Sequence, residues 1–150
     1  MRILIAYDGS APSESAVNEV LKRPWPAGSL VRLVSVVEME HFTAPPSGVE
    51  FYGPLAERIR VSLRESSYHR IQRIMDRFRS RPDLEPSYEL RDGGVKCALL
   101  EAIREWDADL VVLGSSGTSG LGRMFLGSVC HALVTHAPCN VEIVKTAPSA

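Results

Sequence analysis

Nothing in this chain of 150 residues approaches the run of about 20 apolar residues that a membrane-spanning helix needs. Ile3 to Tyr7 and Leu110 to Leu113 are far too short. Cysteine is scarce as well: Cys97, Cys130 and Cys139 form an odd set without a C-x-x-C pair, which leaves no disulfide framework. No signal-like segment precedes Ile3, so the expected setting is reduced and cytoplasmic. Neither sign of charge is in excess. A formal net charge of −1 gives no long-range attraction to nucleic acid or an anionic membrane, so neither is expected as a partner. A G-x-S-x-G elbow and the lysine of a P-loop are both missing, which leaves acyl transfer and standard nucleoside triphosphatase chemistry without a motif. Repeats and domain linkers are absent, and a chain of this length can bury enough surface to fold as one domain. That domain is read over residues 1–146, with 147–150 a loose tail.

What is present alternates between two periods. Ile3 to Tyr7 is almost wholly apolar, as a parallel strand covered on both faces requires. Asp8-Gly9-Ser10 ends it; Ser10 or Ser13 can cap a helix whose face is Ala16, Val17, Val20 and Leu21. Leu30 to Val37 reads as a second strand, with Arg32 and Ser35 as its polar interruptions. His41 to Pro54 reads as a loop, a possible lid. Leu55, Ile59, Leu63, Ile71, Ile74, Met75 and Phe78 then mark a long amphipathic helix ending before Pro82. Ser87 to Arg91 is a weaker strand, and Gly93-Gly94 leads into a helix with Ala98, Leu99, Ala102, Ile103 and Trp106 on its apolar face. Leu110 to Leu113 is a fourth strand and Val141 to Val144 a fifth, after a helix that His136-Ala137-Pro138 ends. This order predicts an α/β fold: one open, five-stranded, mostly parallel sheet with helices on both faces.

The fourth strand runs into Gly114 to Ser128, a stretch with five glycines before a helix start. Backbone with few side chains, followed by unpaired helix-terminal N–H groups and the positive end of a helix dipole, is suited to holding an anion such as phosphate. In open α/β sheets ligands bind beyond the carboxyl ends of strands where the winding reverses. If the first and fourth strands are neighbours, Asp8 and Gly114 share that crevice. A flexible loop is the plainer reading of the glycines, a helix-start charge that of Asp8, and plain core that of Val36.

Gly114-x2-Gly117-x9-Gly127-Ser128 resembles the nucleotide-binding motif of ATP-binding universal stress proteins. Asp8-Gly9-Ser10, Gly93, the block Asp107 to Gly114 and His136-Ala137-Pro138-Cys139 resemble further blocks of that family, over nearly the whole chain. The resemblance implies strand order 3-2-1-4-5 and ATP, ADP or AMP as ligand, with Mg²⁺. By it, Asp8 meets the adenosine end, Val36 the adenine, Gly114 and Gly117 the ribose and phosphates, and Gly127 with Ser128 the phosphate chain. Arg123, inside the glycine run, either pairs with a phosphate or lies solvated. The resemblance also implies a homodimer through the last strand. Asn140 and Glu142 depart from the family pattern there, and Glu142 beside its own copy would be unfavourable unless a cation offsets it. An ATP-binding regulatory module with an unidentified protein partner is the main functional reading. A weak ATP-hydrolysing enzyme and a dimeric interaction protein with a relic motif are the alternatives, and no catalytic residue stands out.

Two other patterns invite chemistry. Arg58, Arg60, Arg64, Arg70, Arg73, Arg77, Arg79 and Arg81 crowd the long helix, but without aromatic interleaving they read as a solvated face. Cys130, His131, His136 and Cys139 fit no usual metal-ligand spacing, so no metal site is expected from them.

Overall fold

The computed structural model describes residues 1–38, 52–115 and 126–145. Five strands and four helices alternate: β1 (Arg2–Ala6), α1 (Ala11–Lys22), β2 (Ser29–Val37), α2 (Tyr52–Phe78), β3 (Leu84–Asp92), α3 (Val95–Glu105), β4 (Leu110–Gly114), α4 (Ser128–His136) and β5 (Asn140–Val144). The sheet order is β3-β2-β1-β4-β5, the order the family resemblance implies, and every pairing is parallel. From β1 the chain winds outward through β2 to β3, then returns to lay β4 on the other side of β1. The winding therefore reverses between β1 and β4, which pair at Ile3–Leu110 and Ile5–Val112.

Central strands are apolar for a reason visible in the two cores. Ile3, Ile5, Val31, Leu33 and Val112 face one layer with α1 and α2; Leu4, Val34, Val111 and Leu113 face the other with α3 and α4. All five residues of β4 are buried. Arg32, on a central strand, lays its guanidinium over the Trp106 ring, 4.6 Å from its centroid, and 3.5 Å from Glu89.

Local chemistry sets the helix starts. Ser10, extended at φ −76° and ψ 160°, caps α1 by accepting from the Ser13 N–H at 3.3 Å, while Pro12 occupies the first turn. The long helix begins at Tyr52, so Gly53 and Pro54 lie inside it rather than in the expected loop. Proline is tolerated there because first-turn N–H groups have no intrahelical partner anyway. The remaining residues of the expected loop and lid, 41–51, lie outside the described residues. The helix ends at Phe78, four residues before Pro82, where turns at Arg79, Ser80 and Arg81 take over. Its C-terminal half buries Ser67, Ile71, Ile74 and Phe78, each large apolar side chain contributing roughly 1.5–3 kcal/mol. In its N-terminal half Leu55 and Leu63, expected on the apolar face, are exposed. The weak strand read at Ser87 to Arg91 spans Leu84–Asp92 and pairs with the whole of β2, from Ser29–Leu84 to Val37–Asp92.

Candidate functional site

A crevice of 290 Å³ opens beyond the carboxyl ends of β1, β2 and β4, at the point where the winding reverses. That is near the lower bound of the roughly 300–1,000 Å³ usual for small-molecule sites. Asp8, Val36, Gly114, Gly127 and Ser128 all line it. Gly117 and Arg123 lie outside the described residues.

Each of the five arrives by a different route. Asp8 follows β1 and turns its Oδ1 to accept the Ser10 N–H at 2.9 Å, so the helix-start reading is realised for one carboxylate oxygen. Val36 is half-buried near the end of β2 and packs on the second core while also lining the crevice. Gly114 ends β4 against the start of α1. A Cβ there would stand 2.4 Å from the Pro12 carbonyl carbon and 2.6 Å from its oxygen, so close helix–strand packing already demands a glycine. Gly127, extended at φ −57° and ψ 151°, donates its N–H to the Ser115 carbonyl at 3.1 Å and so ties the two ends of the glycine run together. Ser128 then opens α4, whose start has no side-chain cap. Uncapped first-turn amides at the positive end of a helix are the backbone arrangement that accepts anions.

The wall holds residues that the sequence reading passed over. Cys130 donates its thiol to the Gly114 carbonyl at 3.1 Å, anchoring α4 to the end of β4, and burial pushes its pKa up. Tyr7 is 5% exposed and donates its hydroxyl to Glu14 at 2.7 Å. Burial first, then that bond to a carboxylate, raises the phenol pKa well above its ordinary value. Ser67 and Arg70 reach the crevice from α2, and Glu38 from the end of β2. Ser67 carried a signal: it lies on the same stripe as Ile71, Ile74 and Phe78, a polar residue where the helix faces inward. Arg70 carried none, since an arginine at the margin of an amphipathic helix ordinarily reads as solvated.

The arginine-rich face is in large part an ion-paired one. Arg60 and Arg64 both reach Asp92 at the end of β3, at 3.4 and 2.6 Å. Arg77 donates to Glu14 at 2.9 Å and also to Asn18. Arg81 pairs with Asp83 at 2.6 Å, and the Asp83 carboxyl is held below its ordinary pKa by that bond. Glu142 on β5 has its cation too: Arg23 grips it with both Nη atoms, at 2.7 and 2.6 Å.

Among the described residues, no three of His, Cys, Asp and Glu are grouped to hold a metal ion. Among the described residues no helix is long and apolar enough to cross a membrane. A second, shallower hollow lies between α3 and α4, lined by Lys96, Cys97, His131 and His136, and shares Ser128 with the crevice.

Comparison with known proteins gives one consistent picture. The model of the universal stress protein family matches residues 1–145. A Staphylococcus aureus (strain USA300) relative named for that family is 28% identical over 151 aligned residues, covering 96% of this chain and 83% of its own. The solved structure of universal stress protein UspA from Lactobacillus plantarum superposes with a TM-score of 0.83 at 21% identity, over 96% of this chain and 97% of that one. A universal stress protein family member from Arabidopsis thaliana, solved with AMP bound, superposes at 0.66 with 15% identity, over 99% and 93%. At such identities the two structures establish the fold alone.

Proposed function

We propose that this chain, which belongs to the universal stress protein family, binds an adenine nucleotide in the crevice between β1 and β4 and acts as a nucleotide-responsive regulatory protein. One observation carries the reading. Asp8, Val36, Gly114, Gly127 and Ser128, scattered over more than a hundred positions of sequence, line a single crevice at the switch point of the sheet. The AMP held by the Arabidopsis protein of the same fold points to the same ligand class.

In this reading the adenine ring packs on the Val36 side chain. The Asp8 carboxylate, which also accepts the Ser10 N–H, accepts from ribose hydroxyls or the adenine amine. The phosphates lie at the start of α4, where first-turn amides and the Ser128 hydroxyl donate. Gly117 takes the ribose and phosphate role that the family motif implies, and Arg123, inside the same glycine run, pairs with a phosphate in this reading. ATP, with Mg²⁺ on its phosphates, is the proposed physiological ligand, and ADP and AMP fit the same groups. A homodimer through β5, an open sheet edge, completes the proposal.

Amide NMR of the full chain during titration with AMP tests the location. Shifts concentrated at Asp8, Val36, Gly127 and Ser128 are expected. Saturable shifts confined elsewhere, such as the hollow between α3 and α4, would place the ligand in another site.

A further inference from the structure

Three charged residues are among those lining the crevice: Asp8, Glu38 and Arg70. Two carboxylates beside a phosphate are repulsive, so an anionic ligand needs a cation there. Among the described lining residues, Arg70 is the only one.

Its placement is specific. The Arg70 guanidinium crosses directly over Gly9: a Cβ at position 9 would lie 2.8 Å from Nε and 2.9 Å from Cδ. Gly9 also has φ +80°, so the turn after β1 both requires glycine and, through it, leaves the passage that Arg70 fills. One of the five N–H donors of Arg70 is used, by Nη2 to the Ser67 hydroxyl at 3.0 Å. Arg60, Arg64, Arg77, Arg79 and Arg81 on or just beyond the same helix each hold a carboxylate; among the described residues Arg70 holds none, nor do Arg58 and Arg73, and of these three only Arg70 lines the crevice. A half-buried, pre-positioned guanidinium without a carboxylate, at the rim of a crevice lined by acids, has the chemistry of an anion reader.

We propose that Arg70 is a residue through which the crevice distinguishes a phosphorylated adenine nucleoside from the neutral nucleoside, by donating to the ligand's phosphate from the α2 side while α4 addresses it from the opposite face of the sheet. This rests on the nucleotide reading above. It adds a specificity-determining side chain outside the glycine motif. If Arg70 only covers Gly9, its loss changes stability but treats charged and uncharged ligands alike.

The test compares adenosine with AMP by calorimetry on the full-length wild type, Arg70→Gln and Arg70→Lys. Arg70→Gln is expected to weaken AMP by about tenfold, the scale of a lost charge-assisted hydrogen bond, and to leave adenosine unchanged. Arg70→Lys, which keeps the charge but not the planar fork, is expected to fall between. Should Arg70→Gln not fold, the lysine variant alone reads the ratio. An AMP-to-adenosine affinity ratio equal to that of the wild type in the folded variants overturns the Arg70 assignment and leaves the nucleotide reading standing. A wild type that binds neither compound overturns both.

Discussion

A methyl group at position 114 would press on the backbone of Pro12 at 2.4 Å, and backbone cannot swing aside as a side chain can. Gly114→Ala should therefore cost about 1–3 kcal/mol, the range for overpacking a close contact. Urea denaturation measures it, and an unchanged midpoint would mean that α1 and β4 are not packed as described. The glycine that reads in sequence as a place for phosphate is thus also one that the fold itself needs. Tyr7 supports a second prediction at this scale. Its phenol pKa is raised by burial and by the Glu14 carboxylate, so the folded state keeps its proton at a pH where the unfolded chain loses it. That stabilisation is complete below the unfolded pKa of about 10 and is lost as pH rises from there through the folded value. The ultraviolet titration difference between wild type and Tyr7→Phe should show a step displaced above pH 10. A difference step centred at the ordinary tyrosine value would contradict the burial.

At the level of elements, α1 depends on its cap. Ser10→Ala removes the acceptor for the Ser13 N–H and should lower stability by about 1 kcal/mol, measured by thermal or chemical unfolding. No loss would mean that another group takes its place. The strands β1 and β4 were legible because a strand buried on both faces must be a continuous apolar run bounded by turn residues, and Asp8-Gly9 and Gly114 supply those bounds. The edge strand β3 was only half legible. Lying at the margin of the sheet, it carries Glu85 and Glu89 beside Leu84 and Leu90, so burial imposes no clean pattern on its sequence. The first turn of α2 was misread because glycine and proline usually break helices, whereas a first turn tolerates both. For the site, Asp8 and Gly114 were readable because strand ends are punctuated. Ser67 was marked only as a polar residue on the inward stripe and Arg70 not at all, since which end of a 27-residue helix meets the crevice is decided by packing against β2 and β3, not by periodicity.

For the whole molecule, the assembly proposed from the family resemblance is a homodimer through β5, which lies at the edge of the sheet. Arg23 neutralises Glu142 by a bidentate ion pair, which removes the repulsion that this residue would otherwise bring to its own copy across the interface. Sedimentation velocity should find a dimer for the wild type and a weaker one for Arg23→Ala; a wild-type monomer at micromolar concentration would contradict this assembly. The fold organises everything else around the switch point, where an apolar wall, the Asp8 and Glu38 carboxylates, an uncapped helix start and Arg70 meet. Calorimetric titration of the folded wild type and Asp8→Ala with AMP, ADP and ATP decides whether this meeting point holds an adenine nucleotide. Saturable binding of one nucleotide per chain, weakened by Asp8→Ala, is expected; a wild type that binds none of the three would rule the site out.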